Sequence, residues 1–291
     1  MTATAVALIL LSSVCHAAWN LLLKRSGNQE VFVWVILVVG SVILMPLGVV
    51  LFILSPPAWP GYWLVIASSV THACYFIFLG RAYSKGDLSL VYPIARGIGP
   101  MLIPVLAVLA FGEKVSLSAA LGIALIVAGI FLVSWSGRFR QILANPSFLL
   151  RDGGIRYAVL TGLTITTYAL IDKQGVEHTQ PFLYMYLLTL GSSIGIAPYI
   201  ALKYRPREIR QEWRNHTWSM LGAGLLVFLA YGLVLTAFTL SQVSYAAPAR
   251  EVGIVVGVLM GVFFLKERFG GGRLLGSSFI AMGLILIALS P

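Results

Sequence analysis

The sequence predicts an all-α integral membrane protein whose ten transmembrane helices form two inverted repeats of five. Three observations predict it. Hydrophobic residues make up 59% of the 291 and charged residues 10%, with a mean hydropathy of +0.92; a soluble domain carries roughly 25% charge. The apolar residues fall into ten uninterrupted runs, each near the roughly 20 residues that cross a hydrocarbon core. Positions 95–132 superimpose on 249–286 at a shift of 154, with ten identities in 38 positions. The composition excludes a soluble enzyme, a secreted disulfide scaffold and a disordered chain.

The first run, 3–23, has no basic residues ahead of it and is long enough to span, so it reads as a retained helix rather than a cleaved signal. SGNQE leads to span two at 31–54, SPPAWPG to span three at 62–80, SKGD to span four at 88–111 and GEKVS to span five at 117–135. These separators are short and rich in turn residues. A first repeat, 1–136, is followed by a basic cytoplasmic linker, 137–154, and a second repeat, 155–291. The second repeat holds spans at 155–172, 182–202, 217–240, 243–265 and 273–289. Before span eight, KYRPREIRQEWRN at 203–215 carries a charged stretch expected as a short helix on the membrane surface. Runs without period-two alternation are helices rather than barrel strands. Cys15 and Cys74 sit inside runs, where free thiols pack as small hydrophobes.

Loops after odd-numbered spans hold Lys24, Arg25, Arg81, Lys85, Arg138, Arg140, Arg151 and Arg156. They also hold Lys203, Arg205, Arg207, Arg210, Arg214, Lys266, Arg268 and Arg273, whereas loops after even-numbered spans hold only Lys114 and Lys173. The positive-inside rule puts the odd loops in the cytoplasm and both termini on the far side. The net charge of +10 is therefore a topology signal and implies no nucleic-acid partner.

The repeat matches rarer residue types: Arg96 with Arg250, Gly99 with Gly253, Glu113 with Glu267, Gly122 with Gly276 and Gly129 with Gly283. A weaker echo links Trp19–Lys24 in span one with Tyr168–Lys173 in span six. Five spans per copy is an odd number, so the second copy enters the membrane upside down. Inverted repeats build secondary transporters, because exchanging the conformations of two related halves gives alternating access.

HAAWNLLLK at 16–24, GEK followed by Gly122 and Gly129, and KER followed by Gly276 and Gly283 resemble the two EamA domains of the drug/metabolite transporter superfamily. The resemblance covers nearly the whole chain. It implies a ten-helix basket whose central cavity is lined by spans one, three, four, six, eight and nine. Spans five and ten would sit apart as possible oligomer contacts, in a monomer or homodimer. It further implies a bacterial plasma (inner) membrane protein, without cofactor or metal, that exports amino acids and similar metabolites. Aromatic amino-acid exporters of the YddG type are the subgroup it suggests. Many relatives are expected to have cytoplasmic termini; the charge distribution here points the other way.

Ionisable groups at bilayer depth are costly and face a cavity or a partner. Arg96, Arg250 and Glu251 lie well inside spans, Arg96 between Pro93 and Pro100 and Arg250 after Pro248. Proline frees a backbone carbonyl, so both helices are expected to kink beside the arginine. The arginines either present a guanidinium to a substrate carboxylate or pair with Glu251 and lock two helices; the two readings weigh equally. Two arginines against one glutamate leave a positive charge over, which favours an anionic substrate.

Span one places Ser12 or Ser13, His16, Asn20 and Lys24 on one face, and span three does likewise with Ser69, His72, Tyr75 or Phe76, and Leu79. Each histidine either binds solute or relays a proton, or is simply satisfied within the helix bundle, and the latter weighs more for either alone. Mid-span Trp19, Tyr75, Phe76, Tyr92, Tyr168, Phe228, Tyr231 and Tyr245 are candidates for an aromatic cavity wall, against plain packing for about half of them. Trp34, Trp59, Trp63, Trp135, Trp213 and Trp218 lie near span ends, as interfacial residues do. Gly253, Gly257 and Gly261 form a ridge suited to close helix packing. Glu113, Glu267 and the Asp172–Lys173 pair at span ends read as local caps or pairs.

The leading expectation is a transporter rather than an enzyme. An enzyme or flippase acting on a lipid-linked or sugar-phosphate substrate is the alternative, but the acids are scattered and no HExxH or Ser-His-Asp arrangement is visible. Without a Walker motif, energy would come from solute or proton gradients, the latter through Glu251, His16 or His72.

Overall fold

The computed structural model describes residues 1–86, 88–135, 153–265 and 270–290. Among these every regular element is a helix: α1 Ala3–Lys24, α2 Gln29–Ile43, α3 Met45–Leu54, α4 Trp59–Lys85, α5 Leu88–Phe111 and α6 Leu117–Trp135 in the first repeat. The second repeat contributes α7 Gly153–His178, α8 Pro181–Lys203, α9 Pro206–Leu240, α10 Val243–Ala249, α11 Val252–Leu265 and α12 Gly271–Ala288. Nine stretches are long and apolar enough to cross a membrane, α10 and α11 counting as one, and the bent pair α2–α3 makes a tenth. Large apolar side chains cover the outside: Leu54, Leu109, Leu117 and Phe263 are each more than 70% exposed. Only a lipid surround makes such a surface stable, so this is a multi-pass membrane protein.

Several helices depart from the expected spans. Span two bends by 56° at Leu44. Pro46, at the start of α3, has no N–H to give the preceding turn and its ring crowds that turn's carbonyls. The kink expected beside Arg96 is not a break: α5 runs from Leu88 to Phe111 through Pro93, Pro100 and Pro104. Span nine does break, at Arg250 and Glu251, two residues past Pro248. Span six continues six residues past its expected end, to His178. The basic stretch before span eight is helical and joins the span at a kink at His216 (φ −130°, ψ 23°). Ile209 and Trp213 of that stretch pack beside Trp19 and Phe32. The linker at 137–152, and Lys266, Glu267 and Arg268, lie outside the described residues.

Helices from the two repeats pack antiparallel. Along α1 and α9, Ser12 Oγ donates to the Ala230 carbonyl at 2.7 Å while Gly27 N donates to Glu212 at 3.0 Å. Along α4 and α7, Gly61 lies against His178 and Gly86 against Gly154. Span one with span eight and span six with span three are equivalent pairs under the repeat, as an inverted pair of bundles requires. α6 and α12 pack through the matched glycines, crossed over: a Cβ on Gly122 would fall 2.7 Å from the Gly283 carbonyl oxygen, and one on Gly129 2.6 Å from that of Gly276. In lipid, where apolar faces gain little by meeting, close backbone approach is what holds such helices together. Spans five and ten are thus each other's partners, and Phe131 of α6 also lies against Gly97 of α5.

Candidate functional site

Where the halves meet, a cavity opens with about 70 Å³ available to water centres, several times the roughly 10–15 Å³ that holds one water. His16 and Trp19 of α1, His72, Tyr75 and Phe76 of α4, Tyr168 of α7, Tyr231 of α9 and Arg250 at the end of α10 line it. The i, i+3 and i+4 spacing on α1 and α4 turns each set to one side, as their positions imply. A larger space of about 410 Å³ lies beyond Phe76, which belongs to both linings, toward the odd-loop end.

Trp19 Nε1 donates to His16 Nδ1 at 3.2 Å, with the rings edge to face. A neutral imidazole that accepts on Nδ1 carries its proton on Nε2. His72 Nδ1 lies 3.0 Å from the Ser68 carbonyl on its own helix, and its ring stacks on Tyr168 at a centroid distance of 4.0 Å. Tyr75 and Tyr231 meet Tyr168 edge-on. The result is a continuous aromatic wall from three helices along the cavity.

The two arginines part company. Arg96 Nη2 stands 3.0 Å from Glu251 Oε2, both side chains buried, so this arginine and this acid join α5 to the break in span nine. Arg250 has no carboxylate within 4 Å among the described residues; its guanidinium lies over the Tyr231 ring at 5.2 Å. Arg250 closes α10, its N–H still bonded to the Ala246 carbonyl at 3.2 Å, and its side chain lines the cavity.

The remaining candidates sit elsewhere. Asn20 Nδ2 donates to the His16 carbonyl one turn back at 2.7 Å. Tyr92 is on α5, one turn before Arg96. Tyr245 is locked at the even-loop end, donating to the Lys114 carbonyl at 3.2 Å and accepting from Ser116 N at 3.1 Å. Glu113, read as a local cap, instead reaches the other repeat: its two oxygens accept from Val243 N and Ser244 N at 2.9 Å each and cap α10.

One buried acid escaped the sequence reading. Asp172 is fully buried and receives hydroxyl hydrogen bonds from Ser68, Tyr184 and Tyr231. The expected end of span six at residue 172 puts this acid at the interface, but no proline precedes Pro181, and the helix runs on to His178. Its neighbour Lys173 turns away, donating to the Phe238 carbonyl at 2.8 Å and lying 3.6 Å from Glu177. With Asp172 counted, the buried arginines no longer outnumber the buried acids.

At the opposite, odd-loop end, Lys203 Nζ meets both Glu30 oxygens at 2.8 Å, and Tyr204 donates to Glu30 at 3.1 Å. Burial and the Glu30 charge hold the Tyr204 hydroxyl above the usual phenol range. Lys203 is 42% exposed, so this pair is screened and adds little stability. Among the described residues no three His, Cys, Asp or Glu side chains group as metal ligands.

Comparison with known proteins accords with this architecture. A putative sugar uptake protein of Lactobacillus johnsonii is 27% identical over 247 residues, which are 82% of each chain. The multidrug resistance protein EbrB of Bacillus subtilis is 32% identical over 79 residues, 27% of this chain and 64% of that one. A crystal structure covering 99% of this chain and 98% of its own superposes with a TM-score of 0.76 at 15% identity, a likeness of fold. The EamA-like transporter family model matches twice, over residues 3–135 and 152–289, once in each inverted half. On that double match the chain belongs to the EamA-like transporter family.

Proposed function

We propose that this transporter moves small amino-acid-like solutes, outward across a bacterial plasma membrane, by rocking its two halves about the central cavity. The observation that carries the reading is Arg250: a guanidinium facing the cavity with an aromatic ring beneath it and no carboxylate within 4 Å among the described residues. Such a group accepts a carboxylate through charge-assisted hydrogen bonds. The rings of Trp19, Tyr75, Phe76 and Tyr168 suit an apolar or aromatic side chain. The lysine and arginine bias puts the odd-loop end, and with it the larger space beyond Phe76, on the cytoplasmic side. The two halves, 1–136 and 155–291, are the bodies that rock.

Sugar transport is the second reading, favoured by the name of the 27%-identical relative; aromatic faces also stack on sugar rings. A proteoliposome counterflow screen over amino acids, sugars, nucleosides and sugar phosphates separates the readings. Exchange of carboxylate-bearing amino acids supports the first, exchange of neutral sugars alone replaces it with the second, and no exchange of any solute removes both.

A further inference from the structure

Asp172 lies about 9 Å inside the end of α7, six residues before His178 at 1.5 Å per residue. Three helices send it hydroxyls: Ser68 from α4, Tyr184 from α8 at 2.9 Å and Tyr231 from α9. An isolated carboxylate at this depth is costly, and three donors are what an ionised one needs. A protonated acid has a hydrogen of its own to place, so one of the three hydroxyls must turn to accept it and send its own hydrogen elsewhere. The clamp joining α4, α7, α8 and α9 on the even-loop side of the cavity is therefore complete only when Asp172 is charged.

Tyr231 extends the reach of this clamp. The residue that donates to Asp172 also carries the Arg250 guanidinium on its ring. Ser68 and Tyr184 share Oδ1 while Tyr231 alone holds Oδ2, so a proton on Oδ2 weakens the Tyr231 bond. A solute carboxylate arriving at Arg250 draws the guanidinium from the ring. Each event biases the other, and such a bias is reciprocal.

The other titratable or charged groups lie on the helices around α7 or across the cavity. His72 of α4 lies beside Ser68, its Nδ1 3.2 Å from the Ser68 hydroxyl, and Tyr75 stands one turn further on. From α5 come Tyr92 and Arg96, the latter matched by Glu251. Span nine adds Tyr245 and Arg250, α1 adds His16 across the cavity, and α7 itself supplies Tyr168 and Lys173.

We propose that Asp172 is the proton-coupling site: taking a proton from the even-loop side loosens the clamp and opens that side, with Tyr231 linking its charge to the solute on Arg250. The proton is released to the opposite side once the halves have rocked. The proposal rests on the transport reading above. In proteoliposomes, counterflow at equal pH is compared with uptake driven by a pH gradient. Asp172→Asn is expected to lower the ratio of gradient-driven to counterflow rate by about tenfold, whatever it does to either alone. Tyr231→Phe keeps the ring under Arg250, removes the donated hydroxyl and is expected to lower the ratio in the same direction; it decides the matter where Asp172→Asn does not fold. A wild-type ratio in the folded variant, or wild-type protein that exchanges solute without responding to pH, overturns the coupling and leaves the transport reading standing. Wild-type protein that exchanges no solute overturns the transport reading and the coupling with it.

Discussion

Arg96 and Glu251 meet at 3.0 Å across the interface between the repeats. Arg96 and Arg250 are counterparts at the repeat shift, but the residues after them differ, Gly97 in the first copy and Glu251 in the second. The acid that follows Arg250 serves Arg96, and Arg250 is left with Tyr231 and the cavity. One departure from the repeat divides an arginine paired with an acid from one that faces the cavity.

Removing one member of that pair strands the other. Breaking a buried ion pair costs roughly 3–5 kcal/mol, so Glu251→Gln is expected to lower the melting temperature in detergent sharply. The double variant Arg96→Gln, Glu251→Gln should recover part of the loss, because no charge is left unpaired. A single variant as stable as the wild type would show that the pair holds nothing.

Arg250 makes a different prediction. Losing one charged hydrogen bond to solute costs about 1.5–3 kcal/mol, on the order of ten- to a hundredfold in apparent affinity. Arg250→Gln is expected to raise the half-saturating concentration of a carboxylate solute by that amount in counterflow, with little change for a neutral sugar. Equal losses for both solutes would tie Arg250 to structure instead.

The ten spans, the repeat and the inversion were legible because each rests on a regularity longer than one residue: apolar length, charge alternation and a fixed shift. Local breaks were less so. Three prolines in α5 leave one helix, while Pro46 bends span two by 56°, and only packing against neighbours decides between those outcomes. Asp172 was hidden by a span boundary six residues short. Glu113 was recognised as a cap, but its partner 130 residues away lies in the other repeat, a distance no spacing rule covers.

The crossed glycines of spans five and ten test the packing directly. A Cβ on Gly129 would lie 2.6 Å from a backbone oxygen that cannot yield, whereas one on Gly257 would meet nothing within 4 Å. Gly129→Ala is expected to destabilise by roughly 1–3 kcal/mol, as overpacking does, and Gly257→Ala to leave the melting temperature nearly unchanged. Equal effects at the two positions would mean that α6 and α12 do not approach as closely as their carbonyls indicate.

The orientation expected from the charge bias can be tested from outside the cell. The N-terminal ammonium donates to the Ser290 carbonyl at 3.2 Å, so the two termini share one side, as an even number of spans demands. Arg207 is exposed at the start of α9, on the side that the positive-inside rule makes cytoplasmic, and Leu289, 79% exposed, lies by the C-terminus. With Cys15 and Cys74 replaced by alanine, an impermeant maleimide is expected to label Leu289→Cys in intact cells and Arg207→Cys only after permeabilisation. Labelling of both from one side would break the count of ten. The reverse pattern would keep the count and invert the protein, placing the larger space beyond Phe76 on the outer face.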